Sequence, residues 1–184
     1  MASLYHEVPS EMVGKELIPL NELLKVAPDA HAKALAKYLP IEDQNDREWL
    51  MRRHIKALGN CLWNDVLHFC PVHPFEIWEE VAHTGKPFPR DFFEIDTRHF
   101  DPKKLEIFVY SKAPNANEEE FSDDEFVPYT SGALVAYGKT LPEAARAYFR
   151  SLKVGDKFRR YHLVPHVLYR GTVNIDKAKR IQVP

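Results

Sequence analysis

Strand-like and helix-like runs follow one another along this chain without a regular βαβ rhythm. That pattern favours an α+β domain with a mostly antiparallel sheet, continuous or split, over a doubly wound parallel one. Leu4-Tyr5-His6-Glu7-Val8, stopped by Pro9, reads as an opening strand, and residues 14–20 hold a second extended piece. Further strands are expected at 62–69, 92–96, 105–110, 126–129, 163–169, 173–175 and 181–183.

Helices are expected between them. Asn21 would cap a short one containing Leu23, Leu24 and Val26, and Asp29 a second with Ala30, Ala34, Leu35, Tyr38 and Leu39 on one side. Residues 46–58 carry the strongest helical pattern: Leu50, Met51, His54, Ile55 and Leu58 recur at helical spacing, and Gly59 ends the run. His73-Pro74 opens a helix with Phe75, Trp78, Val81 and Ala82 on one face. Thr140-Leu141-Pro142-Glu143 opens the last, with Ala144, Ala145, Tyr148, Phe149 and Leu152 pointing one way. Residues 113–125 are acidic with little to bury, and read as a mobile surface loop. With no internal repeat and no dividing linker, residues 1–184 form a single domain with flanking helices.

A chain of 184 residues buries roughly 70% of the surface its unfolded form exposes, and needs neither disulfide nor metal to fold. Two cysteines, Cys61 and Cys70, read as reduced thiols in an intracellular protein. Residues 1–9 lack the charged and apolar regions of a signal peptide, and no apolar run approaches the ~18 residues of a membrane span. A cytoplasmic location without a membrane partner is therefore expected. The formal charge of −2 excludes strong whole-protein attraction to nucleic acid, while leaving room for local basic patches.

Among nine histidines, His6 and His166 stand out because each lies inside a strand, where a polar side chain must face solvent or find a partner. If both face one cleft, they can grip a polar ligand or exchange protons. Cys61, His68, Cys70 and His73 have the residue types of a zinc site, and Cys70 has histidines on either side as a nucleophile would. One strand cannot turn Cys61 and His68 to the same face without a bend, so the balance favours buried free cysteines and no metal. No phosphate-cradling glycine loop is present. Two basic clusters are: Arg47, Arg52, Arg53 and Lys56, and Lys153, Lys157, Arg159 and Arg160 beside Tyr161 and His162. Each reads as a solvated face or a phosphate contact, with Phe158, Tyr161 and Tyr169 available for stacking at the second.

Leu4-Tyr5-His6 on a first strand resembles the start of ADP-ribosyltransferase-like domains. The stretch from Val164-Pro165-His166 through Tyr169-Arg170-Gly171 to Ile175, followed by Ile181, is similar to their last strands, and the elements between fall in a compatible order. The resemblance implies an ADP-ribosyltransferase-like layout and NAD or a related nucleotide as cofactor. It also implies transfer of the ADP-ribosyl or phosphotransferase type to a protein or RNA acceptor. Tyr5, His6 and Tyr169 would bind the cofactor, and His6, His166 and Arg170 would carry the chemistry. His166 occupies the position expected of the catalytic glutamate, and a neutral imidazole there stabilises a ribose cation less well. Tyr110 and Tyr129 are the candidates for stacking on nicotinamide. His6, His166 and Arg170 are closer in kind to the RNA 2′-phosphotransferase branch. The chain is also similar, over nearly its full length, to a group of small bacterial proteins sharing the Leu-Tyr-His start and the Asn64-Asp65-Val66 to Pro71-Val72-His73-Pro74 centre, a likeness that brings no activity with it. Two other readings stand beside this one: a non-catalytic interaction module using residues 118–125 or the basic helix, and a zinc-dependent hydrolase built on Cys61, His68, Cys70 and His73.

Overall fold

The computed structural model describes residues 2–36, 48–110, 120–156 and 159–184, with the backbone alone for Glu48 and Trp49. In chain order the elements are β1 (Ser3–Glu7), β2 (Glu16–Leu17), α1 (Leu20–Val26), α2 (Pro28–Ala36), α3 (Glu48–Met51), β3 (His54–Ile55), β4 (Cys61–Leu62), β5 (Leu67–Phe69) and α4 (Pro74–Val81). Then come β6 (Asp91–Asp96), β7 (Leu105–Phe108), β8 (Phe126–Pro128), α5 (Ser131–Gly138), α6 (Glu143–Ser151), β9 (His166–Tyr169), β10 (Val173–Asn174) and β11 (Lys179–Gln182). Every strand pair is antiparallel. The two larger sheets have the orders β1-β6-β11 and β5-β9-β7-β8, and β10 pairs with β2 and β3 with β4 in two-stranded sheets. Among the described residues a single bridge, Tyr5 to Cys70, joins these two larger sheets. The α+β class and the antiparallel sheet thus agree with the sequence, and the sheet is split.

The two faces of this split sheet bury different cores. On the back face, Leu4, Phe69, Phe93, Ile95, Leu105, Ile107, Val167 and Tyr169 pack with Leu17, Phe100, Leu134 and Val173. The front carries two separate clusters. One gathers Cys70, Val72, Ile77 and Val81 with Leu141, Ala145, Phe149 and Val164. The other gathers Phe108 and Leu168 with Ile55, Leu58, Cys61, Val66 and Phe121. Helices α4 and α6 are tied across the first cluster by Glu80, which accepts from both Arg146 and Arg150.

Several local expectations are corrected. The helix expected at 46–58 survives in the described residues only as α3, a single turn. Tertiary pairing overrides the periodicity: Ile55 pairs with Cys61, and the connection turns through Gly59 (φ 74°) and Asn60 (φ 57°), both left-handed. The glycine that looked like a helix stop is a hairpin turn. Arg53, expected on a solvated face, is buried with its guanidinium over the Phe121 ring. The strand expected at 62–69 is broken by a 3-10 turn at Trp63–Asp65, because the Asp65 carboxylate accepts from Leu62 N (2.7 Å) and Asn21 Nδ2 (2.7 Å). Asn21 therefore ties α1 to this turn instead of capping a helix. In α2 the expected stripe is present: Ala30, Ala34 and Leu35 are half-buried while Asp29, Lys33 and Ala36 are exposed, and Tyr38 and Leu39 lie outside the described residues. Phe75 of α4 is exposed, and the buried face is Pro74, Ile77 and Val81. In α6, Ala144 is exposed while Ala145 and Phe149 are buried. Helix α5 was not foreseen; Thr130 caps it through Ala133 N. Of the acidic stretch 113–125, residues 113–119 lie outside the described residues. The rest has more to bury than its composition suggests: Phe121 and Glu125 are buried, and Glu125 accepts from Ser122 N.

Gly138 closes α5 against the residue that follows the inter-sheet bridge. A Cβ there would stand 2.9 Å from Pro71 Cβ and 3.1 Å from Pro71 O. Helix propensity alone makes Gly→Ala favourable by roughly 0.5–1 kcal/mol. Overpacking costs roughly 1–3 kcal/mol, and a backbone neighbour cannot rotate aside. Gly138→Ala is expected to lower stability, read as a lower urea midpoint at unchanged m value.

Candidate functional site

The site begins where the two sheets part. Tyr5 and Cys70 exchange both backbone hydrogen bonds, at 2.9 and 2.8 Å. Continued antiparallel pairing would set Glu7 opposite His68, but β1 stays with β6 through Glu7–Phe92, and no bridge to β5 follows. The polar side chains of this parting lie on the front face, between its two apolar clusters. His68 and His166 come from adjacent strands with ring centroids 6.2 Å apart. His166 is also ringed by Tyr110 at 5.9 Å and Tyr161 at 5.7 Å. Glu7 accepts from Arg160 Nη1 at 3.0 Å, which spans from β1 to the turn that carries Tyr161. Arg159 acts on Tyr110 electrostatically.

These side chains are crowded by protein yet keep some accessible surface, and the gap they share between the two clusters is taken as the candidate recess. His68 Nε2 lies 3.0 Å from the Trp63 carbonyl, with the two rings 4.4 Å apart. Burial, reinforced by the neighbouring His166, holds the His68 pKa down at about 3. Burial likewise holds His166 at about 4, against a smaller upward pull from the Val164 carbonyl. Its buried Nδ1 has no hydrogen-bond partner of good geometry. Desolvation also raises the phenol pKa values of Tyr110 and Tyr161. At neutral pH the recess therefore presents two neutral imidazoles and two neutral phenols, with Glu7, Arg160 and Arg159 at its edge. The turn at 159–164 includes Leu163 at φ 59°, a left-handed non-glycine residue.

The expected site residues do not all meet here. His6 points to the opposite side of β1 from Glu7: it faces Phe69 at 5.4 Å, and its Nδ1 lies 2.6 Å from the Glu7 carbonyl. Since Phe69 and His68 alternate along β5, His6 and His166 sit on opposite faces of the sheet. Arg170 lies four residues beyond His166, roughly 13 Å along the strand. Its Nη1 donates to the Leu58 carbonyl at 2.8 Å, bracing the β3–β4 hairpin. Tyr169 is buried in the back core against Phe100. Tyr5 is on the front, edge-on to His73 at 4.9 Å, with its phenol pKa raised to about 12, mainly by burial. The shared His6–His166 cleft is thus corrected: one face keeps His166, and the other keeps His6.

The zinc reading is corrected too. Cys61 and Cys70 fall in different clusters, His68 is turned to the Trp63 carbonyl, and His73 caps α4 through Phe75 N. Among the described residues no three of His, Cys, Asp and Glu gather in a way that could hold a metal ion. Burial pushes the Cys70 thiol up to about 12, which opposes a thiolate nucleophile. Of the second basic cluster, Arg160 reaches the recess through Glu7, Arg159 is exposed beside it, and Lys157 and Phe158 lie outside the described residues.

The chain matches no family model, no curated protein and no solved structure.

Sequence reading missed Glu7 as a site residue although it adjoins His6, and considered His68 only as a zinc ligand or as a neighbour of a Cys70 nucleophile. Strand alternation could have found Glu7: once Leu4 is placed in the core, Tyr5 and Glu7 share the other face. No local signal places His68 beside His166, which needs the β5–β9 register.

His68 and His166 make stability depend on pH. Their folded pKa values lie below the ordinary 6.5, so on acidification the unfolded chain takes up protons that the folded chain refuses. Stability is therefore highest above about pH 6.5 and falls with pH, by about 1.4 kcal/mol per pH unit per histidine. Urea unfolding at several pH values between about 6.5 and 4.5 should show this slope, and His68→Gln/His166→Gln should reduce it, leaving the part that His6 and His162, also lowered by burial, contribute. Parallel slopes would contradict the assignment.

Proposed function

We propose that the protein binds a nucleotide, NAD or a close relative, in the front-face recess, with ADP-ribosyl transfer as its class of activity. The carrying observation is the convergence at the sheet split of two neutral imidazoles, two tyrosines and the Arg160–Glu7 pair. Tyrosine rings suit a planar base, arginines suit phosphate oxygens, and neutral imidazoles can hydrogen-bond base and ribose without bringing charge into a desolvated site. Glu7 brings a carboxylate to the edge, the group that stabilises positive charge building on a ribose as its glycosidic bond breaks. In this reading Glu7 takes the part that the resemblance left without a glutamate, and His6 is not a ligand-binding residue.

Calorimetric titration with NAD, with ATP alongside, tests the reading. Saturable NAD binding is expected in the wild type. Arg160→Ala and Tyr161→Ala should each weaken it by about tenfold or more, on the order of 1.4 kcal/mol, while His6→Ala should leave it in place. Absence of heat with both nucleotides would overturn the reading, and loss confined to His6→Ala would move the site to the other face.

A further inference from the structure

The tautomer of His68 follows from its partner. The Trp63 carbonyl can only accept, so Nε2, 3.0 Å away, carries the hydrogen. In a neutral ring the other nitrogen, Nδ1, is then a bare acceptor. Among the described residues Nδ1 has no hydrogen-bond partner. Trp63 holds the ring in place from one side at 4.4 Å, and His166 stands on another at 6.2 Å with a buried nitrogen also lacking a partner. An imidazole fixed in this way is a directional reader: it takes a hydrogen from a ligand and repels a lone pair.

We infer that His68 is the specificity-determining residue of the recess, selecting through Nδ1 a planar ring that carries an –NH2 group over the same ring carrying oxygen there. The inference rests on the nucleotide reading above and goes beyond it, because it names the group that is read. Two ends of a nicotinamide–adenine dinucleotide offer this chemistry: the 6-amino group of adenine and the carboxamide of nicotinamide. A site built to accept a hydrogen bond discriminates strongly against an analogue that presents an acceptor, because the imidazole nitrogen is then left facing a lone pair. Glu7 and the arginines lie toward the edge and are not required for this choice.

The test measures affinity for four mononucleotides by titration: AMP against IMP, and nicotinamide mononucleotide against nicotinate mononucleotide. One amino-bearing member should bind at least tenfold tighter than its oxygen-bearing partner, and the pair that shows it identifies which end occupies the recess. In His68→Phe, which keeps a ring beside Trp63 but removes the acceptor, that ratio should fall towards one. A purely structural role would weaken both members together and leave the ratio unchanged. NAD binding with equal affinity within both pairs would overturn this inference while leaving the nucleotide reading intact. No binding by NAD or any mononucleotide would overturn both. Should His68→Phe not fold, the wild-type ratios decide by themselves.

Discussion

Among the described residues, one pair of backbone hydrogen bonds, between Tyr5 and Cys70, joins the edges of the two larger sheets over their shared back core. Everything of functional interest follows from the pairing stopping there. A continuous ladder would bring β1 against the whole of β5 and set Glu7 directly beside His68. With one bridge, β1 is retained by β6, β5 by β9, and the front-face side chains beyond the bridge are left between two apolar clusters instead of inside one. The elements around the bridge brace it. Pro71 is pressed by Gly138 of α5, and Val72 and Pro74 are buried in the packing of α4.

The gap between the clusters is a poor place for charge. Desolvating an imidazolium costs more than giving up its proton near neutrality, so His68 and His166 remain neutral, and the flanking phenols hold their protons more tightly. Formal charge stays at the margin, where Glu7 and Arg160 pair, each with about two-fifths of its side chain exposed. That arrangement separates two tasks. Uncharged groups inside can choose a ligand by hydrogen-bond direction, and charged groups at the edge can attract and hold an anion.

The fold class, most strands and the opening of α4 were legible in the sequence because they rest on local signals: β-branched and aromatic runs, and proline in a first helical turn. The failures share a cause. Residues 52–58 have helical spacing, yet Ile55 gains more from pairing with Cys61, and Gly59-Asn60 supplies the left-handed turn that this pairing needs. The strand at 62–69 breaks because Asp65 is claimed by Asn21, which is distant in sequence. The site suffered in the same way. His166 was recognised as unusual within an apolar run, whereas its partners His68, Tyr110 and Tyr161 come from three other segments that only the sheet register and the 159–164 turn bring together. His6 was chosen for its place in a strand, and strand alternation sends it to the other face.

Nitrogen-detected NMR of the histidine rings across pH 5 to 8 tests the central claim most directly, since chemical shifts report charge and tautomer at each imidazole. The account predicts that His68 and His166 stay neutral throughout, with His68 protonated on Nε2. Titration of either ring near the ordinary 6.5, or an Nδ1–H tautomer at His68, would contradict it.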